Sequence, residues 1–213
     1  MFYIEFIIFT PILMKSFNND DELIQFAETY VGEKLSSLKK DVNHCLVYPY
    51  ASFPAILYCF SIIDFLGSIY YGQASSKHRS TSSNARKYMK KMMNYTDDQC
   101  NLLHQIFRHK IVHLAGPKTV YEYNGKRITW HYRHESPEKH LSIESTPPKT
   151  YVLPTSKIRQ DITHTFWISI KQFTEDIIQS FYGPNGYFLM LKVDPKLKKN
   201  FDEAVFEMFS VDK

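Results

Sequence analysis

Residues 96–117 read TDDQCNLLHQIFRHKIVHLAGP, and they contain the most clearly bounded helix of the chain. Thr96 and Gln99 have the spacing of a capping box, in which each side chain bonds to the backbone amide of the other residue. Gly116-Pro117 ends the pattern, because glycine closes a helix in the left-handed conformation and proline cannot continue it. The helix is predicted to bury apolar residues at helical spacing, namely Leu103, Ile106, Phe107 and either Ile111 or Val112.

Composition and charge restrict the class of protein. The chain has 213 residues, 44% hydrophobic and 15% aromatic, which is enough for one domain with a substantial core. Three widely spaced cysteines, Cys45, Cys59 and Cys100, predict neither a disulfide framework nor a zinc site and fit a reducing cytosol. The net charge of +4 permits a polyanionic partner without requiring one. We therefore expect a cytoplasmic protein.

Helices are also predicted before this stretch. Asp20 to about Val42 has helical apolar spacing, and a short helix is expected from about Ser83 to Met93. Residues from about 53 to 71 are apolar all round, with Ser52 as predicted cap. That segment is almost long enough to span a bilayer. Asp64 at its centre would cost about 3 kcal/mol in lipid, so we predict the central helix of a bundle and no membrane partner.

The periodicity changes after residue 118. Val120–Tyr123 and Arg127–Trp130 flank Asn124-Gly125, a pattern typical of a β-hairpin. Leu141–Ile143 and Tyr151–Leu153 predict further short strands. A small antiparallel β insert is therefore expected at about 118–153.

A long helix is predicted to start at Pro154-Thr155-Ser156 and to end at Gly183-Pro184. Its apolar stripe consists of Ile158, Ile162, Phe166, Ile170, Phe173, Ile177 and Phe181. The tail predicts a strand over Tyr187–Val193 and a short helix from about Phe201. The fold class is thus mainly α, a helical bundle with a β-hairpin insert before the last long helix.

The N-terminal residues 1–19 are considered separately. Met1–Met14 is apolar but carries Glu5 and no basic residue, so it fits a secretory signal poorly. Met14-Lys15-Ser16 looks like a natural start, which favours an extension from a mis-assigned start codon. A packed N-terminal strand is the alternative.

Arg108, His109 and His113 carry the chemistry of residues 96–117. A guanidinium can hold a phosphate by forked hydrogen bonds, and an imidazole can move a proton near neutral pH. Five residues of an ideal helix rotate by about 140°, so Arg108 and His113 would not share a face. They converge only if the helix loosens near Gly116 or if a second chain completes the site.

Other arginine–histidine pairs have similar spacing, namely Arg127/His134, Arg133/His140 and Arg159/His164. Only Arg108/His113 combines a capped helix with a polar residue directly after the arginine. A buried helix, a turn, a capped helix ending in Arg108-His109-x-x-x-His113 and a further long helix resemble the HEPN superfamily. The resemblance covers about residues 20–116 and 155–182, and it implies a HEPN-like helical domain over 20–213.

HEPN domains are small helical bundles, often dimeric, and many are metal-independent ribonucleases with the signature Arg, four to six residues, His. The resemblance implies a homodimeric endoribonuclease that cleaves RNA by 2′-hydroxyl attack, without metal or cofactor, as a toxin or defence effector. His113 would be the general base or acid, Arg108 would hold the phosphate, and His109 would orient either of them. Asp64 would orient or tune one of these groups. A nucleotidyltransferase-type antitoxin is an implied partner.

A basic segment between Ser75 and Tyr95 contains no acidic residue. Placed beside the Arg108 helix, its cations could follow an RNA backbone, and a solvated basic face is the alternative. Tyr88 and Tyr95 could stack bases or pack in the core. The candidate RNA-binding residues are Lys77, Arg79, Arg86, Lys87, Lys90 and Lys91.

Each site residue also has a structural interpretation. Arg108 and His109 favour the negative end of a helix, and Asp64 could be a hydrogen-bonded core acid. His109 and His113, four apart, are spaced as on a zinc-binding helix, but no glutamate sits in the required place and no third ligand is obvious in the sequence. The alternatives to a ribonuclease are a non-catalytic HEPN-like module that binds RNA, nucleotide or a protein partner, and a purely structural helical protein.

Overall fold

Helices and one four-stranded sheet form the part of the chain that the computed structural model describes, residues 17–47, 51–73, 81–108, 119–133, 137–152 and 159–210. The helices are α1 (Asp20–Cys45), α2 (Ser52–Tyr71), α3 (Thr81–Met92), α4 (Asp97–Leu102), α5 (Ile170–Tyr182), α6 (Tyr187–Val193) and α7 (Pro195–Phe209). The strands are β1 (Tyr121–Tyr123), β2 (Lys126–Arg133), β3 (Ile143–Val152) and β4 (Arg159–Ser169). The predicted mainly helical class is confirmed.

Helix α2 lies at the centre of the bundle and contacts α1, α3, α5 and α7. Its first residue is Ser52 and its cap is Ala51, which makes no side-chain capping bond, so the predicted Ser52 cap is wrong. A Cβ on Gly67 would lie 2.9 Å from the backbone carbonyl carbon of Asn84, so glycine permits the close approach of α2 and α3.

By length and composition alone, α2 is the helix among the described residues that could cross a membrane. A buried core helix meets the same criteria, and α2 is packed against other helices.

The capping box predicted for the Arg108 helix is confirmed. The Thr96 hydroxyl accepts from the Gln99 amide at 3.2 Å, and the Thr96 amide donates to the Gln99 side chain at 2.9 Å. After Leu102 the helix widens into a π-helical turn, Leu103–Arg108. Helices of this kind use i→i+5 hydrogen bonds and are frequent at functional sites. The helix therefore widens over the residues that end at Arg108, the first residue of the motif. Ile111, Val112 and Gly116-Pro117 lie outside the described residues.

The strand order in the sheet is β1-β2-β4-β3. β1 and β2 form the predicted hairpin, in which Asn124 and Gly125 have φ values of 50° and 70°. β2 and β4 pair in parallel, and β3 pairs with β4 antiparallel. The predicted small antiparallel insert at about 118–153 is therefore a larger mixed sheet that continues to Ser169.

The first half of the predicted last long helix is strand β4, and α5 starts only at Ile170. Ile162, Phe166 and Ile170 are four residues apart, a spacing that fits the two-residue period of a strand as well as a helix. The β-branched and aromatic residues of TFWI at 165–168 favour the strand. Ser169 then caps α5 by accepting from the Gln172 amide. The predicted start at 154–156, and Ile158 in the stripe, lie outside the described residues.

Three further predictions are corrected. Of the strands expected at 141–143 and 151–153, Ile143 and Tyr151–Val152 belong to one strand, β3, whereas Leu141 and Ser142 precede it. β3 has a register shift between Ser145 and Lys149. Leu153 lies outside the described residues. Tyr187–Val193 is helix α6, not a strand, because Tyr187 and Leu191 are buried at helical spacing. Helix α7 begins at Pro195, where Asp194 caps it, not at about Phe201.

The sheet packs on the helices through aromatic side chains. The ring centroid of Phe107, in the π-helical turn, lies 5.8 Å from that of Trp130 on β2 and 6.4 Å from that of Phe166 on β4. Phe53 of α2 reaches Trp130 at 5.7 Å. The helical core and the sheet therefore share one apolar layer, and Phe107 anchors the residue that follows it, Arg108.

Candidate functional site

Arg108 and Asp64 form a two-point ion pair. The Arg108 Nε donates to Asp64 Oδ1 and Oδ2 at 3.1 and 3.0 Å, and Nη2 donates to Oδ2 at 2.7 Å. Nη1 donates to the Ser82 hydroxyl at 2.8 Å. The π-helical turn, α2 and α3 each contribute one residue, so packing brings together two residues that the sequence singled out separately. Ser82 was missed, because other serines adjoin it in the sequence and nothing distinguishes it from them.

The pair is partly exposed, with 19% of the Arg108 and 22% of the Asp64 side chain accessible. Burial raises the pKa of the Asp64 carboxyl above its usual value, while the hydrogen bonds and charge of Arg108 act in the opposite direction. A guanidinium has five N–H donors. Three of these donate to Asp64 and Ser82. Among the described residues, the second N–H on each terminal nitrogen has no partner and could donate to a ligand.

His109, His113, Lys77 and Arg79 lie outside the described residues. In sequence, His109 follows the paired arginine directly.

The described basic residues of α3 fall on two sides of that helix. Arg86 and Lys90 face α4, where Arg86 Nη1 donates to Asn101 at 3.3 Å and Lys90 pairs with Asp97 at 2.7 Å. Lys87 and Lys91 are exposed, and Lys87 lies 5.7 Å from the centre of the Tyr71 ring. Arg86, one turn after Ser82, is thus on the side of α3 that meets Arg108.

The two tyrosines considered for base stacking are buried. Tyr88 is fully covered, and its hydroxyl lies 3.0 Å from the Ser180 hydroxyl. Tyr95 is 7% exposed. The core-packing interpretation of both is confirmed.

A second polar cluster was not predicted. The Tyr95 hydroxyl donates to Asp176 Oδ2 at 2.6 Å, and Gln172 donates to Asp176 Oδ1 at 2.7 Å. The Ser169 amide donates to His140 Nδ1 at 3.0 Å, so a neutral imidazole carries its proton on Nε2. That nitrogen lies 3.4 Å from Asp176 Oδ2. Tyr95 and Asp176 are 81 residues apart, and no short-range pattern could have paired them.

The environment of this cluster indicates a structural role. Burial, followed by the Asp176 charge, raises the pKa of Tyr95 well above its usual value. Burial also opposes ionisation of Asp176, but hydrogen bonds from His140, Tyr95 and Gln172 outweigh it and lower the pKa of that carboxyl. His140 Nδ1 is occupied by a backbone amide and cannot accept a substrate proton. The cluster ties α5 to the residues before α4 and β3.

Acid is expected to weaken the fold through Asp176. The pKa of the Asp176 carboxyl is lower in the folded than in the unfolded chain. The stability that the ionised carboxylate contributes is therefore fully present above the unfolded pKa, and it is lost as the pH falls through the folded pKa. We expect Asp176→Asn to cost about 1–2 kcal/mol of unfolding free energy at neutral pH, and less in acid below about pH 4, where the carboxyl of the unfolded chain takes up a proton. Urea titrations of the wild type and the variant at neutral and at acidic pH measure this free-energy difference. The exposed Glu33→Gln serves as control, and equal losses for Asp176→Asn at both pH values would contradict the assignment.

Comparison with known protein families, with curated proteins and with solved structures finds no match. Within the described ranges, no group of three or more His, Cys, Asp or Glu side chains is arranged to hold a metal ion. The site at Arg108 has two N–H groups without a partner among the described residues, and such groups can bind an anionic oxygen. Proton transfer there requires a further group, since the arginine cannot be deprotonated and Asp64 is bound to it.

Proposed function

We propose that the chain is a metal-independent endoribonuclease of the HEPN type. The observation that carries the proposal is the Asp64–Arg108 pair at the end of the π-helical turn. A partly exposed arginine, fixed by the acid of the central helix, is a pre-oriented donor for a phosphate. The next residue is His109, and His113 follows four residues later.

In the proposed reaction, Arg108 donates to the scissile phosphate and stabilises the charge that develops on it. His113 accepts the proton of the 2′-hydroxyl, whose oxygen attacks phosphorus while the bond from phosphorus to the 5′ oxygen breaks. The leaving oxygen takes up a proton from an imidazolium or water. The products are a 2′,3′-cyclic phosphate and a 5′-hydroxyl. Asp64 holds Arg108, and His109 orients the phosphate or His113.

The proposal includes a cytoplasmic homodimer in which a second chain completes the site, acting as a toxin or defence effector with a nucleotidyltransferase-type antitoxin. Arg86 is the cation of α3 placed best to extend the phosphate contacts, because it shares a side with Ser82. Lys87, Lys90 and Lys91, with Lys77 and Arg79, would contribute long-range attraction for RNA.

A second candidate is a non-catalytic HEPN-like module that binds RNA, nucleotide or a protein partner. The observation that favours it is that Arg108 already bonds through all three nitrogens to Asp64 and Ser82, which leaves one N–H on each terminal nitrogen for a ligand. An arginine with a neutralising carboxylate attracts a phosphate less strongly than a free one.

The deciding experiment is RNA cleavage in EDTA by the purified chain. We expect single-stranded RNA to be cut to 2′,3′-cyclic phosphate ends, and DNA of the same sequence to stay intact because it lacks the nucleophile. An Arg108→Gln preparation, purified in parallel, controls for contaminating nucleases. RNA binding without cutting would favour the second candidate, and neither binding nor cutting would leave the structural interpretation.

A further inference from the structure

The outer face of the sheet carries a cluster that the proposed function does not use. β2 and β4 are the two central strands, and their inner side chains, such as Ile128 and Phe166, are buried against the helices. Side chains alternate along a strand, so His131 and Arg133 of β2 and Trp167 of β4 lie on the opposite face. The contact confirms this, because His131 is paired in register with Trp167 and their rings are 4.6 Å apart.

Two cations rest on the Trp167 indole. The Arg133 guanidinium lies 4.7 Å and the Lys139 ammonium 5.4 Å from the ring centroid. Lys139 is also paired with Glu144 at 2.8 Å, so a neighbouring carboxylate compensates its charge. Arg133 is exposed, and no carboxylate of the described residues is ion-paired with it. Arg133 is therefore the principal free positive charge of this cluster within the described ranges.

The indole acts as a support and not as the ligand-facing group. Its Nε1 is covered and has no hydrogen-bond partner among the described residues, so it is not available to a ligand. A cation over an indole face is attracted to it, which holds the planar guanidinium in place. A guanidinium fixed in this way presents a two-pronged donor that matches the oxygens of a phosphodiester. The exposed imidazole of His131, next to it, can stack with a base.

We propose that this outer face binds single-stranded RNA, with Arg133 on a phosphate and His131 against a neighbouring base. Exposed side chains spread along a sheet face, as His131 and Arg133 are, suit an extended polynucleotide better than a single nucleotide, which needs a concave site. The choice of RNA as ligand rests on the proposed function. The contact surface itself does not, because it lies across the sheet from the layer that holds Phe107.

Arg127 provides a matched control on the same strand and face. It is six residues from Arg133, about 20 Å along the strand. It lies opposite Glu122 of β1 in the register and 4.0 Å from the Asp161 carboxylate. Its charge is therefore compensated locally, and removing it changes the net charge of the protein as much as removing Arg133.

The test measures binding of the full chain to fluorescein-labelled, mixed-sequence 2′-O-methyl RNA of about 12 nucleotides, by anisotropy at about 50–200 mM salt. This RNA has no free 2′-hydroxyl, so cleavage cannot disturb the titration. We expect Arg133→Gln to weaken binding about tenfold and to reduce the salt slope by about 1. Trp167→Leu is expected to weaken binding similarly, whereas Arg127→Gln should change it by less than about twofold.

The proposal would be overturned if the wild type did not bind this RNA, or if Arg133→Gln and Arg127→Gln weakened binding equally. The proposal would also be overturned if a polyglutamate peptide displaced the labelled RNA as effectively as unlabelled RNA does, because the face would then suit an acidic protein segment. The two proposals can fail separately. If the protein cuts RNA and Arg133→Gln leaves its RNA affinity unchanged, only the nuclease proposal stands. If the protein does not cut RNA but Arg133→Gln weakens RNA binding, only the proposed binding face stands.

Discussion

Replacing His113 with alanine is expected to lower the rate of RNA cleavage by about 10²- to 10⁴-fold, the usual contribution of a general acid–base residue. Alanine removes the imidazole that accepts the 2′-hydroxyl proton, while Arg108 keeps its bonds to Asp64 and Ser82. RNA binding should therefore persist while cutting stops. The measurements are single-turnover cleavage in EDTA and affinity for uncleavable 2′-O-methyl RNA.

The matched control is His164→Ala. Arg159 and His164 share the spacing of the motif, but the structure places both in strand β4, where His164 Nδ1 lies 2.8 Å from the Thr163 hydroxyl. We expect this variant to cleave like the wild type. Full activity of His113→Ala, with the wild-type preparation active, would exclude His113 as the proton-transfer group. An unchanged circular-dichroism spectrum shows that each variant is folded.

Replacing Phe107 with alanine is expected to lower the free energy of unfolding by about 3–5 kcal/mol. The side chain is fully buried, and its ring contacts Trp130 and Phe166, so the substitution leaves a cavity where the helices meet the sheet. Because Phe107 precedes Arg108, loss of its anchoring should also lower RNA cleavage by the folded fraction. Urea unfolding followed by circular dichroism and tryptophan fluorescence measures the stability change.

Phe206→Ala is the control for this prediction. Phe206 is also a helical phenylalanine, but 54% of it is exposed, so its removal should cost less than about 1 kcal/mol. A similar loss of stability in both variants would mean that Phe107 does not join the two layers. A large loss seen by tryptophan fluorescence but not by circular dichroism would place the damage in the sheet alone.

The elements that could be predicted are those specified by neighbouring residues. The capping box links Thr96 with a residue three positions later, and the hairpin turn needs only Asn124-Gly125. Such signals are independent of distant packing. Strand β4 was misassigned because residues four apart satisfy two periods at once, and pairing with β2 and β3 decided between them.

The candidate site was predictable in its residues but not in its contacts. Asp64 stood out as the acid of an apolar helix, and Arg108 as part of a spaced motif, yet 44 residues separate them. Ser82 and the cluster of Tyr95, His140 and Asp176 had no sequence signal, because serines and histidines elsewhere in the chain look the same. The π-helical turn was also unforeseen, since its apolar residues fit an ordinary helix.

By itself, the sequence determined the mainly helical class, the bounds of α1 and α2 to within a few residues, and the start of the Arg108 helix. Periodicity and capping act over one or two turns, and they hold whatever the rest of the chain does. Only the tertiary structure decided that Arg108 meets Asp64 and Ser82, and that Arg133 rests on Trp167. Those contacts join residues far apart in the chain, so they follow from how the helices and strands pack.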